Sequence, residues 1–331
     1  MYHKKKSGLI IFLISLIFSS CNLFRPQPVY DYVFLGDYQP FKEKTKAVKL
    51  TEPSALKLTD NLPKIDGATA LYPLYAAFVQ AVYPEDEYYR HGKYSSEHES
   101  NIGPVVACYG TSSAYNSLIN GKVDIIFCAE PSDEQLDEAA ENGISFNLTP
   151  IGKEAFVFFV NNKNKISDIT TEQIRGIYSG KITNWKELGG KNNDIRIFQR
   201  AKNSGSQTMF LSVMGDTSIL PPVTENILTF MLDMVEVTAD YRNYSSAIGY
   251  SFLFYTAEMV NNKKIKILSI NGIAPSAKTI QTGEYQYTDY FYAITANTEN
   301  ENVNKFIEWI LSEQGQYLVS KTGYVSIYHN E

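Results

Sequence analysis

The apolar positions of the chain alternate between runs typical of short strands and spacings typical of helices. Residues 64–67, Lys-Ile-Asp-Gly, are interpreted as a short strand that runs into a Gly turn, and the apolar side chains of residues 71–83 keep helical spacing. The unit recurs with a strand at residues 105–109 and a helix at residues 114–120, and residues 123–128 form a third strand. Strands that alternate with helices predict an α/β fold in which helices cover both faces of a mainly parallel sheet.

A second block of elements begins at residues 155–160, whose continuous apolar run indicates a buried strand. Thr170 and Gln173 have the spacing of a capping box, so a helix begins there, and Gly180 ends it. The same patterns predict further elements, namely a strand at residues 195–198, a helix at residues 207–214, a strand at residues 290–295, a helix at residues 303–311 and a short helix before Gly323.

Two segments lack such patterns. Residues 22–63 carry Pro, Lys and Glu with only short apolar stretches, and we expect a tether or linker that docks locally. Residues 84–101 are acidic and rich in Tyr, which indicates a surface insertion.

The N-terminus carries the pattern of an export signal. Three lysines at residues 4–6 precede an uncharged apolar run at residues 9–18, which is too short to span a bilayer. The run ends in small residues before Cys21, and this pattern resembles the lipobox of bacterial lipoproteins, whose Cys is diacylated. We therefore predict a signal peptide and lipidated Cys at residues 1–21, which would anchor the protein to the cell membrane or outer membrane on its extracytoplasmic side.

Charge and histidine content exclude several function classes. Removal of the three lysines with the signal leaves 27 Lys and Arg against 36 Asp and Glu, a net charge of −9, so nucleic acid is not an expected partner. His91 and His98 lack the ligand spacing of a zinc site, and a solvated loop is the favoured interpretation, so neither a metal nor a cofactor is predicted. Because the histidines lie outside the predicted strand ends, no Ser-His-Asp or Cys-His arrangement can be assembled, and we do not predict an enzyme.

Three turns between a strand and a helix combine Gly with small hydroxyl residues, namely GATA at 67–70, GTSS at 110–113 and SGSQT at 204–208. A helix start offers unpaired N–H groups and a partial positive charge, which suit an anion. Further donors are the hydroxyls of Thr69, Thr111, Ser112, Ser204 and Ser206 and the planar guanidinium of Arg200.

Each turn taken alone is also explained as a helix cap, because Ser and Thr are good capping residues. In an open α/β sheet, however, ligands bind at the carboxyl ends of strands, where all three turns are predicted to lie. Their convergence favours an anion site.

Several motifs resemble those of the substrate-binding proteins of phosphate ABC transporters. They follow the family's order and extend over about residues 64–327. The motifs are GATALYP at 67–73, GTSSAYNSL at 110–118, GKVD at 121–124, TEQIRGIYSGKITNW at 171–185, RAKNSGS at 200–206, AIGY at 247–250 and WILSEQGQ at 309–316.

The resemblance implies the type II periplasmic binding protein fold, in which two α/β lobes joined by a hinge enclose the ligand. It divides the chain into lobe I, residues 64–152 and 286–331, and lobe II, residues 153–285. The family's pattern assigns ligand binding to Thr69 with Ala70 or Leu71 in the first turn, to Thr111 in the second, and to Arg200, Ser204, Gly205 and Ser206 in the third.

One position departs from the family's pattern. The family places an Asp after the strand of the GKVD motif, and this carboxylate accepts the proton of hydrogen phosphate and disfavours fully ionised sulfate. The aligned residue is Ala129, and Glu130 follows it. Glu130 either points into the cleft and replaces the Asp, or caps a helix or faces solvent, in which case the site suits a different anion or a larger carboxylate ligand.

The resemblance also bears on the cysteines. In the implied sheet order the first strand lies between the second and third, so Cys108 and Cys128 end strands roughly 9.6 Å apart. A disulfide needs Cα atoms within about 7 Å, so we predict two free, mostly buried thiols.

The leading hypothesis is a lipid-anchored solute-binding protein that captures a small anion, with phosphate the first candidate, and delivers it to an ABC transporter permease. The alternative is an extracytoplasmic sensor or cell-surface binding module that uses the same fold with a non-phosphate ligand. The tether, the Tyr-rich insertion and the missing Asp are the features that motivate the alternative.

Overall fold

A computed structural model describes residues 35–90, 105–222, 226–240 and 246–328. The predicted signal segment, Cys21 and all four histidines lie outside these ranges. The described residues form the strands β1 (Ile65–Gly67), β2 (Ile125–Cys128), β3 (Asn147–Asn161), β4 (Asp168–Ile169), β5 (Arg196–Ile197), β6 (Gln199–Arg200), β7 (Ile227–Leu228), β8 (Ala247–Phe252), β9 (Ile265–Ile267), β10 (Ser269–Ile270) and β11 (Thr288–Thr295). The helices are α1 (Tyr72–Val82), α2 (Glu85–Arg90), α3 (Thr111–Ile119), α4 (Asp133–Glu141), α5 (Thr171–Tyr178), α6 (Gly205–Met214), α7 (Met231–Asp240), α8 (Ala277–Gln281), α9 (Glu301–Ile310) and α10 (Glu313–Thr322).

The main sheet runs in the order β1-β2-β11-β3-β8-β5, with β9 also beside β3. Apolar side chains pack against it in two separate cores. The first core joins β1, β2 and β11 to α1, α3, α9 and α10, and the second joins the later half of β3 and β8 to α5, α6 and α7. The α/β fold with helices around a sheet is therefore confirmed, and the two cores correspond to two lobes.

The sheet is more mixed than the expected mainly parallel pattern. The pairs β1–β2 and β5–β8 are parallel, whereas β11, β8 and β9 all run antiparallel to β3. The first part of β3 pairs with β11 in the first lobe, and its last part pairs with β8 and β9 in the second. One continuous strand thus connects both lobes, with a register shift of β11 between Phe291 and Tyr292.

Local signals in the sequence predicted the start and end of α5 and the end of α10 correctly, whereas α3 begins at Thr111, three residues before its predicted start. The Thr170 hydroxyl accepts from the Gln173 N–H at 3.2 Å, and the Gln173 side chain accepts from the Thr170 N–H at 2.9 Å, which is the predicted capping box. Gly180 and Gly323 follow α5 and α10 with φ of +78° and +116°, a backbone conformation that favours Gly.

Two predicted segments differ in the structure. Residues 105–109 run beside β1, but they form a single bridge between Val106 and Ile65 rather than a full strand. The predicted surface insertion contains α2, and the ring of Tyr88 is buried there against Phe41, with centroids 5.3 Å apart.

Residues 35–63, which we assigned to the linker, pack on the first lobe. Ala47, Leu58 and Leu62 are buried in the first core, and the Leu58 N–H donates to the Val82 carbonyl at 3.1 Å. Local docking of this segment was expected, and it extends over most of the segment's described length.

Both remaining cysteines are free and buried, as predicted. β1 lies between the segment that carries Cys108 and β2, which ends at Cys128. Burial raises the pKa of the Cys108 thiol to about 12, so this thiol is unreactive at neutral pH. None of the helices in the described ranges has the length and apolar character that a membrane span requires.

Candidate functional site

A cleft lies where the three Gly-containing turns meet. From the first lobe it is lined by Ala68, Ala70, Leu71, Thr111 and Ala129, and from the second lobe by Gly205, Met209, Met231 and Phe252. The two crossing strands close it with Glu154 of β3 and with Asp289, Tyr290 and Phe291 of β11. The cleft therefore lies between the lobes, at the carboxyl ends of β1 and β2.

The first turn is held against β2. The Ala68 N–H donates to the Phe127 carbonyl at 2.9 Å, and the chain continues as a single 3-10 turn, Thr69–Leu71, into α1. A Cβ at Gly67 would lie 2.6 Å from the Phe127 carbonyl oxygen, so only Gly allows this approach. Ala70 and Leu71 line the cleft, whereas Thr69 is half-buried and is not among the lining residues.

A buried carboxylate links the first two turns. Asp66 Oδ1 accepts from the N–H of Gly67 at 2.7 Å and from the N–H of Tyr109 at 2.8 Å. Burial raises the pKa of Asp66 to about 6, and these two hydrogen bonds oppose the rise. Gly110, with φ of +86°, then allows α3 to begin at Thr111, which lines the cleft.

The third turn touches the second across the cleft. Ser204 is the N-cap of α6, and its hydroxyl accepts from the Gln207 N–H at 3.3 Å. A Cβ at Gly205 would lie 3.3 Å from Thr111 Oγ1 and 3.7 Å from the Ala129 Cβ. The helix starts of the two lobes thus come together at Gly205, which lines the cleft.

Asn203 connects the lobes beside this contact. Its carbonyl accepts from the exposed Ser112 hydroxyl at 2.9 Å, and its side-chain oxygen accepts from the Ser132 hydroxyl at 3.0 Å. Its amide donates to Glu134 Oε2 at 2.6 Å, and Lys202 forms a 2.9 Å salt bridge to the same carboxylate. Ser112 therefore holds the lobes together rather than lining the cleft.

Arg200 is a buried cation without a carboxylate partner among the described residues. Its backbone N–H donates to Gln207 Oε1 and to the Tyr250 hydroxyl, each at 2.9 Å, but its side-chain Nε and NH1 form no hydrogen bond within this part of the chain. Burial lowers the pKa of Arg200, and Tyr250, Tyr255 and Asp233 oppose the change. A buried unpaired guanidinium is costly, so it suits an anionic ligand.

The Ser206 hydroxyl is also buried, and it has no hydrogen-bond partner among the described residues. Neither Arg200 nor Ser206 lines the cleft. Both belong to the same strand–turn–helix segment as Gly205, which does line the cleft.

Glu130 lies outside the cleft lining. Its side chain is exposed, and its carboxylate accepts a 2.8 Å hydrogen bond from the Tyr292 hydroxyl. Ala129, the residue aligned with the family's Asp, does line the cleft. The sequence left two orientations of Glu130 open. In the structure its side chain faces solvent rather than the cleft.

The sequence patterns missed two carboxylates of the cleft, Glu154 and Asp289. Glu154 is 8% exposed, and burial raises its pKa to about 8. Burial also raises the pKa of Asp289, and the charge of Glu130 adds to the rise. Of the residues predicted to bind the ligand, Ala70, Leu71, Thr111 and Gly205 line the cleft, and Thr69, Ser112, Glu130, Arg200, Ser204 and Ser206 do not.

Within the described ranges, no three His, Cys, Asp or Glu side chains are grouped so that they could hold a metal ion.

Known proteins resemble this chain over most of its length. The phosphate-binding protein PstS of Bacillus subtilis is 25% identical over 288 residues, which cover 86% of this chain and 86% of that protein. PstS of Borreliella burgdorferi is 26% identical over 226 residues, covering 66% of this chain and 77% of that protein.

Solved structures share the fold. A phosphate ABC transporter substrate-binding protein from Clostridium perfringens, with bound phosphate, superposes with a TM-score of 0.61 at 23% identity, covering 80% of this chain and 98% of that one. A phosphate transport receptor from Vibrio cholerae gives 0.56 at 22% identity, covering 79% and 98%. These relatives confirm the resemblance drawn from the motifs. The profile of the PBP superfamily domain matches residues 42–314, and the chain therefore belongs to that superfamily.

Proposed function

We propose that this protein is an extracytoplasmic receptor that captures phosphate between its two lobes for an ABC transporter. The observation that carries the proposal is the meeting of three helix-initiating turns at one cleft, through Leu71, Thr111 and Gly205. Helix starts favour anions, and a small anion can satisfy several of their N–H groups at once. Relatives named as phosphate-binding proteins support phosphate over other anions.

Arg200 and Ser206 complete the proposed site. Their unpaired donors belong to the strand–turn–helix segment that brings Gly205 to the cleft. A bound oxyanion would give the guanidinium its missing counter-charge and the hydroxyl its missing partner. Thr69 and the Ser204 N-terminal turn would add the remaining donors.

The receptor is further proposed to be lipid-anchored through Cys21 and to deliver its ligand to a membrane permease. The lipobox-like pattern before Cys21 supports the anchor, and the two-lobed fold supports capture by lobe closure. Metabolic labelling with palmitate, in wild type and Cys21→Ala, tests the anchor directly.

Calorimetric titration of ligand-stripped protein with phosphate tests the binding function. We expect Arg200→Ala to weaken phosphate binding by about a hundredfold or more, because two charge-assisted hydrogen bonds are lost. Lys202→Ala is the matched control, since its exposed salt bridge to Glu134 contributes little, and it should change the affinity by about twofold at most.

Thermal unfolding of each variant checks that the fold is intact. Absence of phosphate binding by the wild-type protein would refute the phosphate assignment. Unchanged affinity in a folded Arg200→Ala variant would instead refute the role of Arg200 in the site.

A further inference from the structure

Two carboxylates face each other where the strands cross between the lobes. Glu154 of β3 and Asp289 of β11 are directly paired residues of an antiparallel ladder, so their side chains lie on the same face of the sheet. Phe291, two residues along β11, is on the same face, and all three side chains line the cleft. Lys153 points to the opposite face, where its ammonium lies over the Tyr290 ring at 5.3 Å.

One oxygen of Glu154 is engaged and the other is free. Oε1 accepts a 2.5 Å hydrogen bond from the Phe254 N–H, which fixes the side chain. Oε2 forms no hydrogen bond with the described residues, and the residue as a whole is more than nine-tenths buried. Glu154 therefore presents an acceptor oxygen at the wall of the cleft, while the Phe254 N–H holds its side chain in place.

We propose that Glu154, when ionised, is the residue that accepts the ligand's proton and thereby selects an oxyanion that carries one, such as monohydrogen phosphate. This inference rests on the proposed function and names a specificity determinant within it. Glu130 cannot serve without moving, because Tyr292 holds its carboxylate on the exposed side. The acceptor thus comes from a different strand than the residue aligned with the family's Asp.

Titratable and apolar side chains both surround Glu154, whose pKa is set by burial and, in the opposite direction, by the Phe254 hydrogen bond. Asp289 faces it from β11 and Tyr324 from the end of α10, while α6 and α7 present the apolar Met209 and Met231. Burial raises the pKa of Glu154 to about 8, so near neutral pH the carboxyl holds a proton and can also donate to a fully ionised anion. At pH 9 the carboxyl is ionised, and only an anion with its own proton can bond to it.

The test compares phosphate and sulfate in calorimetric titrations at pH 9. Wild-type protein should bind phosphate and discriminate strongly against sulfate. Glu154→Gln keeps the size and the Phe254 hydrogen bond but replaces the charge by an amide, which can donate to sulfate. We expect it to lower the phosphate-to-sulfate affinity ratio by about tenfold to a hundredfold.

Two further variants make the result specific. Glu154→Asp keeps the charge and should retain the wild-type preference for phosphate over sulfate. Glu130→Gln should leave the ratio within about twofold of wild type, because that side chain is exposed.

An unchanged ratio in Glu154→Gln, with phosphate still bound, would overturn the inference and leave the proposed function standing. A reduced ratio in Glu130→Gln alone would overturn it as well and assign the acceptor to Glu130. If the wild-type protein binds no phosphate, the proposed function fails first and the inference with it. Near-ultraviolet circular dichroism of each variant verifies the native packing.

Discussion

Arg200 and Glu154 are both buried ionisable residues whose charge is disfavoured by their surroundings. Burial lowers the pKa of the guanidinium and raises the pKa of the carboxyl. The guanidinium stays charged because its ordinary pKa lies far above neutral, so it needs a counter-ion. The carboxyl can instead bind a proton. The free-energy cost of burying its charge therefore makes the stability of the protein depend on pH.

The raised pKa of Glu154 predicts that stability falls as the pH rises. Between its ordinary pKa of 4.5 and about 8, the folded state binds more protons than the unfolded state, so deprotonation favours unfolding. We expect the melting temperature of wild type to fall between pH 6.5 and 8.5 and that of Glu154→Gln to fall less. Thermal unfolding in phosphate-free buffer measures both.

The chosen window separates Glu154 from Asp66. The pKa of Asp66 is raised only to about 6, so most of its contribution is lost below pH 6.5. Parallel curves for wild type and Glu154→Gln above that pH would contradict the prediction.

At the scale of elements, the capping box at the start of α5 offers a stability test. Thr170→Ala removes the hydroxyl that accepts from the Gln173 N–H and should lower the free energy of unfolding by about 1 kcal/mol. Thr170→Ser retains the acceptor and should change stability by only a few tenths of a kcal/mol. Urea unfolding curves distinguish the two variants, and equal curves would show that the cap contributes nothing.

Elements with local signals could be predicted from the sequence. The box at Thr170 and Gln173 and the stop at Gly180 depend on residues a few positions apart, and the structure has each of them in place. The full length of β3 could not be predicted, because residues 147–154 are mostly polar or include Pro. Their strand conformation comes from pairing with β11, far along the chain.

The same distinction applies to the site. The position of Thr111 and Gly205 at the cleft was predictable, because turns after strands converge at one edge of a sheet. Glu154 was not, since a single acidic residue at the start of an apolar run gives no signal of its own. Only the register with Asp289 shows that both carboxylates face the cleft.

At the scale of the whole molecule, Asn203 forms polar contacts between the lobes, beside the Lys202–Glu134 salt bridge. Its amide and side-chain oxygen contact Glu134 and Ser132 of the first lobe, and it adopts φ of +64°. Asn203→Gly removes the side chain and tolerates this backbone conformation, so the effect is confined to the contact.

We expect Asn203→Gly to favour separation of the lobes. Small-angle X-ray scattering of ligand-free protein should give a larger radius of gyration than wild type, and phosphate affinity should fall by about threefold to tenfold because closure loses two hydrogen bonds. Lys202→Ala, which removes only the exposed salt bridge, should match wild type in both measurements. Identical scattering of all three proteins would show that Asn203 does not hold the closed arrangement.

The chain builds part of the first core, then the second core, and then returns to the first. This order affects how the protein folds while it is being synthesised. The first core needs β1 and α1 as well as residues between Phe291 and Tyr324. The second core is built almost entirely from the part of the chain that lies between α1 and Phe291. On a growing chain the later lobe can therefore complete its packing first. The earlier lobe stays open to chaperones and proteases until the last helix has been made, and truncations near the C-terminus should leave the N-terminal half, rather than the middle, unfolded.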